Sequence, residues 1–130
     1  MNAGGVEVSQ VLSMASVGGD AEVTARLSYQ CEDPFAVSAV FAVGDTEVRW
    51  IFARDLLRDG LCAPAGQGDV LVAPAGGGRV TFTLRSGSGL AMLACDGAEL
   101  AMFIRRVYAV VPDGEELIHV AMDRFLAGIV

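Results

Sequence analysis

The side chains that could carry chemistry are few and scattered. The one histidine, His119, lies between Ile118 and Val120 with no second ligand or acid at a useful spacing. General acid–base catalysis needs a titratable group poised near neutrality, and a lone imidazole in apolar company reads instead as a structural or partner-contact residue. The carboxylates Asp113, Glu115 and Glu116 lack the ligand ladder and hinge glycine of a calcium loop, so they read as a solvated loop. Cys31, Cys62 and Cys95 are odd in number and far apart, which suits neither a disulfide framework nor a zinc site; they read as reduced, buried small hydrophobes. Neither Gly66-Gln67-Gly68-Asp69 nor Gly76 to Gly78 ends in Lys-Ser/Thr or opens a helix, so both are expected to be turns rather than phosphate cradles. Ser86-Gly87-Ser88-Gly89 lacks the leading glycine of a nucleophile elbow and is likewise expected to turn the chain. The expectation is a protein without catalytic residues, cofactor or metal.

Charge narrows the partners. The 9 basic residues, all arginine, face 16 acidic ones, for a net charge of −7 and a pI near 4.5. Phosphate neutralisation supplies much of the affinity for nucleic acid, so this balance disfavours such binding. Two arginine pairs remain as contacts for an acidic partner, Arg105-Arg106 on one predicted helix and Arg54 with Arg58 as a stripe on another, where the ordinary reading is a solvated face. Arg105 and Arg106 are the first choice for partner binding. With 53% hydrophobic residues, 19% charged and a mean hydropathy of +0.50, apolar surface is left for a partner or a second copy to cover. No apolar run approaches the ~20 residues that span a bilayer, and Met1 to Gly5 lacks the basic start of a signal peptide, so the expected compartment is the cytoplasm.

The elements that must position these groups follow from periodicity, and the length, 130 residues, suits one domain over 1–130. Val6, Val8, Leu12 and Met14 alternate with polar residues, as do Ala21, Val23, Ala25, Leu27 and Tyr29; the two strands join through Gly18-Gly19. Asp33-Pro34 breaks pairing before a strand from Phe35 to Val43, which turns at Gly44-Asp45 into Thr46 to Phe52 with Val48, Trp50 and Phe52 on the inner face. A two-turn helix, Ala53 to Asp59, is expected to end on Gly60 as a left-handed cap, with Leu56 and Leu57 inward. Strands follow from Asp69 to Ala73, stopped by Pro74, and through Val80, Phe82 and Leu84. Leu90 to Cys95 is apolar enough for burial on both faces. Asp96 and Glu99 suit the start of the longest helix, with Leu100, Phe103, Ile104, Val107 and Val111 on its buried stripe. After Pro112-Asp113-Gly114, the tail reads either as one helix from Glu115 or, preferred here, as a short extended stretch before a helix near Asp123 to Ile129. The sum is an α+β domain of about seven antiparallel strands with two or three helices.

At Trp50-Ile51-Phe52-Ala53-Arg54-Asp55-Leu56-Leu57, followed by Gly60, the chain resembles the SsgA-like proteins, actinobacterial factors of sporulation-specific cell division. Asp33-Pro34-Phe35-Ala36-Val37 with Phe41, Gly66-Gln67-Gly68-Asp69-Val70 with Pro74, and Val111-Pro112, Gly114 and Glu116 are similar to further family segments in the same order. The resemblance spans the chain and is most specific from Asp33 to Pro74. It implies a non-enzymatic homotrimer with a fold similar to the single-strand-binding Whirly proteins. It also implies action through protein contacts at the division septum, by a family whose best-understood member type recruits the tubulin-like protein FtsZ. The functional expectation is therefore a septation adaptor with division-machinery partners, FtsZ or another family member among them; the alternative is a single-stranded nucleic-acid binder of Whirly-like fold.

Overall fold

Alternating side chains commit most of the chain to a single sheet. The strands of this computed structural model are β1 Val8–Ser16, β2 Glu22–Tyr29, β3 Ala36–Val43, β4 Thr46–Ala53, β5 Val70–Ala75, β6 Arg79–Ser86 and β7 Gly89–Asp96, with helices α1 Arg54–Gly60 and α2 Gly97–Val110. The structure describes residues 7–87, 89–118 and 120–121; the expectations for His119, Ser88 and a helix over Asp123 to Ile129 lie outside them, while residues 116–118 and 120–121 are helical, which corrects the preferred extended stretch in favour of a helix that begins close to Glu115. All pairs are antiparallel and the order is β4-β3-β2-β1-β7-β6-β5, as the α+β reading anticipates. Gly18 and Gly44 take φ of 78° and 58° at the two predicted hairpin turns.

The sheet curls. β4 and β6 stand five strands apart in the order, yet the rings of Phe52 and Phe82 lie 5.8 Å apart between centroids, so the inner faces of the two ends oppose each other. Leu12, Met14, Val23, Leu27, Phe41, Phe52 and Phe82 fill the space between, each burial contributing about 1.5–3 kcal/mol. α2 closes one end of this space with Leu100, Phe103, Ile104 and Val107, the predicted stripe, and Val111 continues it. Its start is capped by Asp96, whose carboxylate accepts from the Ala98 N–H at 2.8 Å.

Several expectations are corrected. Gly60 is not a left-handed cap: it closes α1 in ordinary helical conformation, with Leu61 as C-cap, and is glycine because a Cβ there would press on the Val72 side chain and lie 3.0 Å from its carbonyl oxygen. Pro74 does not stop β5 but lies within it, opposite Val80, which an edge strand tolerates because the missing N–H faces away from the sheet. β7 is buried on both faces only at Leu93, Ala94 and Cys95; Leu90 and Met92 are exposed, since this half of the strand runs past the end of β1 and no helix among the described residues covers it. Trp50 points inward as expected but is only half-buried, and Val48 is exposed. Cys95 is buried, Cys31 is half-buried and Cys62 is exposed, against the expectation that all three lie inside.

Candidate functional site

The largest departure from the sequence reading is Arg54. Expected on a solvated stripe with Arg58, it is 1% exposed. It opens α1, where the positive end of the helix dipole favours an acid, and its charge is answered from the C-terminal arm. Its Nη1 donates to the Val111 carbonyl at 2.6 Å and to the Tyr29 hydroxyl at 3.4 Å, while Nη2 donates to Glu116 Oε2 at 2.7 Å. The guanidinium lies 3.9 Å from the centroid of the Tyr108 ring, a cation–π stack. Glu116, expected in a solvated loop, is itself buried, and its second oxygen accepts from the Gly114 N–H at 2.9 Å. Around this pair, Tyr29 donates to the Pro34 carbonyl at 2.9 Å, and the Tyr108 hydroxyl donates to Asp55.

Asp113 and Glu116 do converge, but with Asp55 in place of Glu115; the three carboxylates each offer an oxygen within 4.8 Å of the others. Arginine answers them: Arg54 takes Glu116, and Arg58 lies 3.3 Å from Asp113 and 3.7 Å from Asp55. The cluster is therefore an ion-pair network rather than a cation cage. Its titrations move away from neutrality. Burial pushes the Tyr29 hydroxyl up to about 12 against the pull of Arg54, burial and then the bond to Asp55 push Tyr108 up, and the hydrogen bond from Arg54 holds Glu116 below its ordinary value. Shifted this way, the two hydroxyls stay neutral and the Glu116 carboxylate stays ionised near neutral pH. Burial also pushes the Cys95 thiol up to about 11, which makes it inert.

Glu116 gives this network a pH dependence of known sign. Its pKa in the fold lies below the ordinary 4.5, so its stabilising contribution is complete above that value and disappears as pH falls through the lowered one. The melting temperature of the wild type is expected to fall more steeply than that of Glu116→Gln when both are followed by circular dichroism from about pH 6 to pH 3. Parallel curves would show that this pair does not govern acid sensitivity.

The predicted contact residues Arg105 and Arg106 are both exposed, on the face of α2 opposite the buried stripe. Beside them stands Met102, 51% exposed, and neither arginine has an ion-pair partner among the described residues. They form a basic patch with an apolar centre. The Arg54 network joins α1 to the end of the same helix and to the arm that follows it, so the patch is held on a fixed support. Arg54 carries one signal that sequence reasoning passed over: a basic residue in the first turn of a helix opposes the dipole, which suggests a partner elsewhere. A second feature had no sequence signal. At the end of the curled sheet that no helix among the described residues closes, Val43, Val48, Trp50, Leu84, Leu90 and Leu93 line an apolar cleft of about 320 Å³.

Comparison with known proteins places the chain in a family. Residues 23–116 match the family described as Streptomyces sporulation and cell division protein, SsgA. The chain is 46% identical over 130 residues to sporulation-specific cell division protein SsgB of Kineococcus radiotolerans, an alignment covering 96% of this chain and 78% of that one. With SsgB of Streptomyces coelicolor it shares 44% identity over 111 residues, covering 82% and 81%. A crystal structure of an SsgA-like sporulation-specific cell division protein from Thermobifida fusca superposes with a TM-score of 0.88 at 32% identity, covering 100% of this chain and 99% of that one. A second solved structure, from work on SsgB mutations that correlate to longitudinal cell division during sporulation of Streptomyces coelicolor, gives a TM-score of 0.82 at 39% identity, covering 86% and 94%.

Proposed function

Because the chain belongs to the SsgA family of sporulation and cell division proteins, we propose that it is a non-enzymatic adaptor of sporulation-specific septation. It acts at the septum, from the cytoplasmic side, through contacts with division-machinery proteins, FtsZ or another family member, and it works as a homotrimer. The observation that carries this reading is the pairing of a displaced, inward-turned set of titratable groups with the exposed Arg105–Arg106 patch around Met102, which has no ion-pair partner among the described residues. The first offers no poised acid, base or nucleophile; the second is the composition of an interface anchor, where arginine and methionine are enriched. The trimer is supported by exposed apolar side chains on several strands, Val11, Leu71 and Met92 among them. Light scattering is expected to return three chain masses; a dilution-independent mass of one chain would overturn it.

The test of function is affinity capture from a sporulating actinobacterial lysate, with FtsZ followed by immunoblot, using wild type and an Arg105→Glu/Arg106→Glu double variant. Wild type is expected to recover FtsZ. The double variant is expected to lose it at least ~10-fold with unchanged melting temperature, since reversal of interface charges typically costs more than a tenfold change in binding. Unchanged recovery with the variant would dismiss the patch; absence of FtsZ and of any other division protein with the wild type would dismiss the adaptor. Single-stranded nucleic-acid binding has less support: stacking binders expose aromatic side chains, and among the described residues Phe35 is the aromatic that stands clearly exposed.

A further inference from the structure

The two outer edges of the sheet are finished differently. β5 is blunted: Ala65 bridges to Val72 through two hydrogen bonds of 2.8 Å on its free side, and Pro74 has no N–H to offer there. β4 is open. The close of the Gly44-Asp45 turn at Val43–Thr46 and the bond from the Arg54 N–H to the Phe35 carbonyl show that even-numbered residues of this strand turn toward β3. Glu47, Arg49 and Ile51 therefore present their N–H and C=O groups outward, without a partner among the described residues. Such an edge is a template for another strand.

The side chains along this edge add a chemical specification. On the outer face, Glu47 and Arg49 lie opposite Ala42 and Val40 of β3, neither carries an ion-pair partner among the described residues, and Ile51 beyond them is 56% exposed. On the inner face, Val48 is 50% exposed and Trp50 half-buried, and both open onto the apolar cleft of about 320 Å³. Edge and cleft are thus contiguous, and one extended segment can satisfy both.

We propose that the β4 edge takes up an extended segment of a partner protein as an added antiparallel strand, with an acid opposite Arg49, a base opposite Glu47 and apolar side chains entering the cleft. Main-chain hydrogen bonds supply affinity in this mode, and alternate side chains supply specificity. A β4 strand from a second copy offers the same charge pattern, with Glu47 and Arg49 crossing about a two-fold axis, but such isologous pairing builds a dimer and leaves no edge for the third chain of the trimer proposed above. The proposal rests on the adaptor reading above and names a mode of partner recognition for it.

The probe is a synthetic heptapeptide, Val-Thr-Val-Glu-Leu-Lys-Val, which places Glu against Arg49 and Lys against Glu47 when it runs antiparallel to β4. Titration into the full chain, followed by amide hydrogen exchange, is expected to protect the Glu47, Arg49 and Ile51 amides at least ~10-fold and to leave β5 unchanged. Ile51→Pro, which removes one outward N–H, is expected to weaken the peptide at least ~10-fold. Arg49→Glu, which leaves the backbone intact, is expected to weaken it similarly and to be rescued by a peptide with Lys in place of Glu. Failure of the peptide to bind at about 1 mM, binding without protection of β4, or no rescue by the swapped charge would each overturn the proposal. Protection of these amides that grows with protein concentration alone would assign the edge to a second copy and also overturn it. The adaptor reading fails separately, if wild type captures no division protein while the peptide binds at β4.

Discussion

Arg54→Ala is expected to destabilise the protein by about 3–5 kcal/mol, because it leaves the Glu116 carboxylate and the Val111 carbonyl buried without their donor. That corresponds to a fall in melting temperature on the order of 10–20 °C for a chain of this size. The effect is one of position as much as charge. The guanidinium supplies a fork to Glu116 and Val111 and a flat face to Tyr108, and an ammonium supplies neither geometry. Arg54→Lys is therefore expected to recover less than half of the loss. Differential scanning calorimetry of the two variants checks both statements, and a loss below about 1 kcal/mol for Arg54→Ala, the range of exposed ion pairs, would show that the network is ornamental.

Phe52→Ala is the second large effect, about 3–5 kcal/mol, from loss of a fully buried aromatic and the cavity it leaves. Phe52 is 1% exposed and lies against Phe41, Trp50 and Phe82, with ring centroids at 6.3, 6.3 and 5.8 Å. It joins the opposed ends of the curled sheet, so its removal undoes a contact between β4 and β6 that no hydrogen bond replaces. Trp50→Ala, two residues earlier on the same face, is expected to cost much less, about 1–2 kcal/mol, because the ring is half-exposed at the cleft. Urea denaturation of the two variants decides the order. Equal losses would mean that Trp50 belongs to the core.

The contrast between these neighbours shows what the chain made legible. Alternation of period two assigned Val8 to Met14, Val23 to Tyr29 and Phe82 to the inner face, and the spacing from Leu100 to Val111 identified the buried stripe of α2, because these patterns depend only on local geometry. Periodicity assigns a face; it does not say how far along a strand the cover extends. Val48, Trp50, Leu90 and Met92 carry apolar side chains on strand segments that run beyond α2 or beyond β1, and their exposure depends on where other elements end. Glu116 was illegible for a different reason, and the first-turn position of Arg54 signals a partner without saying which. The two lie 62 positions apart, and a charged residue that finds such a partner has the same local spacing as one that faces water. The exposed Arg105 and Arg106 were legible because α2 is long enough for its polar face to declare itself.

The seam between β1 and β7 has a consequence for how the chain reaches this structure. Only Ala15–Ala94 and Ser16–Leu93 pair in register there, with one further bond from the Val17 N–H to the Met92 carbonyl at 2.8 Å. On either side lie two meanders, β1 to β4 and β5 to β7, in which most partners are hairpin neighbours that meet cheaply. Each half can therefore assemble early as its own cooperative unit, while joining them requires closing nearly the whole intervening chain for a handful of bonds. α2 supplies what the seam lacks: it emerges from β7, lies across β1, and is tied at its far end to α1 by Arg54. Docking of that helix is the expected late, committing step of folding, and native-state hydrogen exchange is expected to show α2 released before either meander opens.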